Sequence, residues 1–133
     1  MVKEQLLKKI RNDFNKIITA KDIIGILLYG SHISNGVTNR SDIDVCIVAP
    51  TEDPYDLISY IRQNINVDQK RYDIRIFKEL PIYIKIQIIE EGRLIYSPNK
   101  FDLYEYFYLY RKIWADQKNR QHISKQDLLQ FLD

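Results

Sequence analysis

The chain has 133 residues, 45% of them hydrophobic, with 20 Lys and Arg against 18 Asp and Glu and a formal net charge of +2. That length fits one domain with a single core, and so even a charge balance argues against a dedicated nucleic-acid binder, whose footprint is a basic excess. No apolar run approaches the roughly 20 residues of a membrane helix and no leader-like stretch opens the chain. The lone Cys46, inside the apolar run 45–48, has no disulfide partner, so a buried thiol and a cytoplasmic, reducing location are expected.

Taken in chain order, Leu6, Leu7, Ile10, Phe14, Ile17 and Ile18 recur at helical spacing over residues 3–19 and predict one amphipathic helix packed on a sheet. Residues 23–29 (IIGILLY) read as a buried strand, followed by a Gly30-Ser31 turn, a short helix beginning near Ser31 and a polar loop through Asn39 and Arg40. A second strand is expected over 43–49, and Pro50 and Pro54 bracket a turn. Leu57, Ile58, Ile61 and Ile65 then mark a helix of about three turns, and a third strand falls near 71–77. Residues 82–89 alternate like a strand and also repeat like a helix face. Helix is chosen, because Pro81 suits a first turn and Gly92 the position past the end; its nearly all-round apolar surface calls for burial on more than one side.

Residues 93–96 read as a short edge strand. Leu103, Phe107, Tyr110 and Trp114 then define one face of a long helix from about Phe101 to Gln117, and Ser124 with Asp127 forms a capping box opening a last short helix over Leu128, Leu129 and Leu132. Tyr104, Tyr106, Tyr108 and Tyr110 scatter round the long helix, either as part of a protein interface or packed against the first helix with only their hydroxyls exposed.

The chemistry gathers around Asp42 and Asp44. Acids at i and i+2 on a strand point to one face, and two carboxylates so close repel until a cation neutralises them. Gly30 and Ser31 end the preceding strand, where helix N-terminal amides can take a phosphate. A nucleoside triphosphate site with metal is the leading reading; the plainer one makes these ordinary turn residues. Asp44, set between Ile43 and Val45 inside a strand, speaks against that, since an unpaired carboxylate there is unfavourable. Asp73 shares the anomaly, although Arg71 and Arg75 are its same-face neighbours and could pair with it. His32 and His122 lack the spacing of a zinc site, and His32, Arg40 and Lys78 are read as surface charge rather than catalytic groups.

The stretch Tyr29-Gly30-Ser31, ten residues, then Asp42-Ile43-Asp44-Val45 resembles the signature of the polymerase-beta-type nucleotidyltransferases, and the short chain resembles their minimal nucleotidyltransferase branch. The resemblance runs from about residue 20 to 97, leaving a C-terminal helical extension from about 99 to 133. Asn35 stands where many relatives carry glycine, with Gly36 after it. What the resemblance implies is an α+β fold, a mixed central sheet flanked by helices with an added C-terminal helix. It implies Asp42, Asp44 and Asp73 as catalytic and metal ligands, Gly30 and Ser31 at the nucleotide, two Mg²⁺ ions, and ATP as substrate. Stand-alone members resemble antitoxins paired with all-helical HEPN ribonuclease toxins. The implied activity is therefore transfer of AMP to a toxin tyrosine within a hetero-oligomer, without direct nucleic-acid or membrane binding. A binding-only antitoxin and a transferase acting on a small-molecule hydroxyl are the alternatives.

Overall fold

The computed structural model describes the backbone of residues 4–30 and 42–132 and the side chains of residues 4–30 and 42–119. The expected first helix is divided into α1 (Glu4–Asp13) and α2 (Asn15–Ala20). The interruption at Phe14 is local: Phe14 N–H donates to Ile10 O at 3.0 Å and Ile18 N–H to Phe14 O at 2.9 Å, carrying the ladder across. One apolar stripe therefore persists, and Leu7, Ile10, Phe14 and Ile17 are all buried. β1 (Gly25–Tyr29) starts two residues later than the apolar run, and β2 spans Ile43–Val48. Proline opens α3 (Pro54–Asn64), and Asp53 caps it by accepting from Tyr55 N–H at 2.9 Å and Asp56 N–H at 3.1 Å.

A further turn, α4 (Val67–Lys70), is capped by the Asn66 side chain. Four residues are too few to show a period, so the sequence reading passed over it. β3 is Tyr72–Ile76, and a 3-10 turn over Phe77–Glu79 leads to α5 (Ile82–Glu91) and β4 (Arg93–Tyr96). Residues 82–91 are helical as expected, packing on β1 and on the C-terminal helix α6 (Lys100–Leu132). Ile86 and Ile88 are buried, while Tyr83 is exposed. Gly92 ends α5 for a steric reason rather than a left-handed one: with φ −65°, a Cβ there would lie 2.5 Å from Ile88 O.

The C-terminal region departs from expectation. α6 is one helix of 33 residues, about 50 Å long at 1.5 Å per residue, and Ser124 and Asp127 lie inside it rather than at the cap of a separate helix. No Gly or Pro occurs between 100 and 132, so nothing in the chain stops the ladder. Its described aromatic residues do not join the core of the first helix either. α1, α2 and α3 cover one face of the sheet with Ile26, Leu28, Val45, Ile47 and Tyr72, whereas Leu103 and Phe107 of α6 cover the other with Leu27, Cys46, Val48, Phe77 and Ile88. Tyr106, Phe107 and Tyr110 ring Phe77 at 5.8, 5.2 and 5.4 Å, leaving Tyr104 and Tyr108 exposed.

The sheet order is β3-β2-β1-β4, with β1 antiparallel to β2 and β4 and β2 parallel to β3. The two-residue period divides these strands between two cores. Asp44 and Asp73 occupy the face shared with α5 and α6, in line with Cys46 and Arg75 but beyond the apolar cover.

Candidate active site

Asp44 is paired in register with Asp73 on the parallel side and with Tyr29 on the antiparallel side. Register neighbours share a face, so two acids stand side by side on adjacent strands, about 4.8 Å apart along the sheet. Asp42, exposed just before β2, lines a cleft of about 270 Å³ with Asp73, Arg62, Arg71 and Tyr72. The turn that sets this level is Arg71, which has φ 60° and ψ 39° at the end of α4. Its left-handed backbone redirects the chain into β3, and its carbonyl accepts from Ile43 N–H at 2.7 Å, locking the register that places Asp73 beside Asp44. A non-glycine residue in this region is strained, and such strain concentrates at functional sites.

Gly30 lies over Asp44. Its φ is +81°, and a Cβ built there would fall 2.1 Å from Asp44 Oδ2. Only glycine supplies both the backbone conformation and the space. Ser31, expected beside it at the nucleotide, lies outside the described residues, as do the helix and loop predicted over 31–41.

Asp73 is engaged by Arg75, with Nε at 3.3 Å from Oδ1 and Nη2 at 3.3 Å from Oδ2. Among the described residues no three His, Cys, Asp or Glu side chains gather closely enough to hold a metal. Carboxylates set this close repel, and the Arg75 guanidinium offsets part of that charge at Asp73. The donor chemistry still fits a hard divalent ion, because Asp42, Asp44 and Asp73 offer only carboxylate oxygens and the strand register already sets Asp44 next to Asp73.

Two groups escaped the sequence reading as site residues. The Tyr29 hydroxyl is pushed well above the usual phenol range, first by burial and then by Asp44, Cys46 and Asp73, with Arg75 opposing. It therefore remains a proton donor beside the acids; its place directly before Gly30 was the signal. Arg75 is the other, foreseen only as a structural partner of Asp73.

A profile of the family described as Polymerase beta, Nucleotidyltransferase matches residues 8–101. The chain belongs to this family. A Methanocaldococcus jannaschii protein named "Putative protein adenylyltransferase" is 44% identical over 98 residues, 74% of this chain and 75% of that protein. Among solved structures, a chain of a variant of the toxin–antitoxin MntA–HpeT superposes with a TM-score of 0.66 at 14% identity, covering 92% of this chain and 98% of that one. A chain of the tri-AMPylated Shewanella oneidensis HEPN toxin in complex with MNT antitoxin gives 0.58 at 16% identity, covering 90% and 98%. At these identities the two structures establish the fold. The polymerase-beta nucleotidyltransferase match spans all four strands, and so both acid-bearing strands and Gly30.

Proposed function

We propose that this nucleotidyltransferase moves AMP from ATP onto a tyrosine of a partner protein, and that the partner is a HEPN-type ribonuclease toxin which the modification silences. The observation that carries the reading is the Asp44–Asp73 register with Gly30 folded directly over Asp44. Support for a protein acceptor comes from the relative named as a protein adenylyltransferase and from the fold shared with a chain of a complex whose toxin is AMPylated.

The residues divide the work. Gly30 lets backbone come close to the triphosphate, and Ser31 contributes hydroxyl and N–H to its outer phosphates. Asp42, Asp44 and Asp73 are the residues that would hold Mg²⁺, which when bound would supply neutralisation of the phosphate charge. The phenol oxygen forms a bond to the α-phosphorus as the bond to the bridging oxygen of the β-phosphate breaks. Pyrophosphate leaves with that electron pair, and the phenol proton passes by way of Asp73 to water.

The test incubates the purified chain with Mg²⁺, α-labelled ATP and the product of its neighbouring gene, and locates the label by mass spectrometry. AMP on a partner tyrosine, lost in Asp44→Asn, is the expected result. Neutralisation of the partner by Asp44→Asn without any label would establish binding alone as the activity. Label that appears only when a small hydroxyl compound is added would replace the protein acceptor.

A further inference from the structure

β3 carries Asp73 and is also an edge strand: among the described residues it pairs with β2 alone. In a parallel ladder, alternate residues turn both N–H and C=O toward the same neighbour. The bond from Ile43 N–H to Arg71 O at 2.7 Å, with Ile43 level with Tyr72, assigns the main-chain groups of Arg71, Asp73 and Arg75 to β2. Those of Tyr72 and Ile74 consequently aim away from the sheet, one on each side of Asp73 along the outer edge. Such an edge is a template for another strand.

We infer that the acceptor tyrosine reaches the site in an extended segment of the partner, which adds to β3 as a further strand. This rests on the adenylyltransferase reading and specifies how its acceptor is held. A strand so added lies about 4.8 Å from β3, and its residue level with Asp73 projects onto the same face. That position delivers a phenol to the carboxylates, whereas a residue one step along the segment points to the opposite face. Main-chain bonds to Tyr72 and Ile74 hold the segment without reading its side chains, and clefts lie at either end of the edge. One, about 290 Å³, is lined by Tyr55, Ile58, Ile74, Arg75 and Leu80 with Glu79 at its side, and Tyr55 is 82% exposed there. The other contains Arg62 and Arg71 with Asp42, Asp68 and Asp73. Arg62, Arg71 and Arg75 are interleaved along this edge with Asp42, Asp68, Asp73 and Glu79, so the segment is held by its main chain and selected by the phenol that it brings level with Asp73.

The test uses the full chain and a poly(Glu,Tyr) copolymer as extended acceptor, with N-acetyltyrosinamide as a tyrosine that has no strand to offer. In hydrogen-exchange mass spectrometry the copolymer slows exchange within 72–76, and N-acetyltyrosinamide does not. With labelled ATP and Mg²⁺, the copolymer takes AMP at least tenfold faster than N-acetyltyrosinamide at equal tyrosine concentration. Ile74→Pro removes one outward donor at an edge position where proline is tolerated; it lowers copolymer labelling about tenfold with nucleotide binding unchanged, and Ile74→Val does not. Equal labelling of both acceptors, unchanged exchange at β3, or full labelling by Ile74→Pro overturns the inference. A chain that binds nucleotide with Mg²⁺ yet labels no copolymer overturns it while leaving nucleotidyl transfer standing. Failure to bind nucleotide at all removes the functional reading as well.

Discussion

Gly30→Ala separates a site built around glycine from an ordinary strand exit. At φ +81° an alanine meets the left-handed penalty of about 1–2 kcal/mol. Its methyl would also stand 2.1 Å from Asp44 Oδ2, where contact becomes ordinary only at 3.4 Å. Asp44 must swing away by more than an ångström, and an off-rotamer side chain adds about 0.5–1.5 kcal/mol. The combined loss of about 2–3 kcal/mol lowers Tm by about 10 °C in a chain of this size, leaving the protein folded at room temperature. Displacing Asp44 removes one side of the acid pair, so Mn²⁺ binding followed calorimetrically, and AMP transfer with it, should fall at least tenfold. Gly25→Ala is the control: its methyl would meet Leu103 Cδ1 at 2.9 Å, a flexible side-chain end far from the acids, so it lowers Tm and spares metal binding. If Gly30→Ala binds Mn²⁺ and transfers AMP like the parent, the glycine has no part in the site and the reasoning fails.

Arg75→Gln frees Asp73 from its counter-ion, so Mn²⁺ affinity measured in the absence of nucleotide should rise several-fold. Tm should barely change, because this pair is exposed and such pairs contribute little; an unaltered affinity would show that Arg75 does not compete for the carboxylate. Asp13 links α1 to the strand that carries Asp73, accepting from Lys70 Nζ at 2.8 Å and from the Tyr72 hydroxyl. Burial works to raise its carboxyl, but the bonds from Lys70 and Tyr72 and the charges of Lys70 and Lys9 outweigh it, holding it below the usual 3.8. A depressed carboxylate stabilises above its unfolded pKa and loses that stabilisation as pH falls through its folded value. Asp13→Asn should therefore lower stability by roughly 1–2 kcal/mol at neutral pH, with the gap closing below about pH 4 in urea titrations; a constant gap down to pH 2 would refute the linkage. Cys46 is fully buried and burial pushes its thiol up, so iodoacetamide labelling should follow global unfolding; rapid labelling of the native protein would contradict its place in the core.

What could be read of the candidate site without coordinates is local. Asp44 falls inside the expected strand with Asp42 directly before it, and Gly30 announces a turn that only glycine tolerates, at φ +81°. The helix reading of 82–91 succeeded because Pro81 and Gly92 mark both ends of an otherwise ambiguous run. Failures came where local signals compete with longer continuity. Ser124 and Asp127 mimic a cap, yet an uninterrupted helical ladder of good formers absorbs them. Similarly, the tyrosines of α6 show their exposure by spacing but not which layer receives Phe107 and Tyr110.

The sequence by itself determined the main strands and the helices 54–64 and 82–91, the Asp42-Ile43-Asp44 run where β2 begins and the glycine turn that closes β1, since each depends on residues within a few positions of one another. Only the tertiary structure decided that β3 lies parallel beside β2 with Asp73 level with Asp44, that Arg75 holds Asp73, that Tyr29 faces both acids, and that β3 is left at the sheet edge. Those relations depend on strand register and on which face each helix covers. They are fixed by long-range packing of the two cores and by the left-handed turn at Arg71, and no local pattern of residues encodes them.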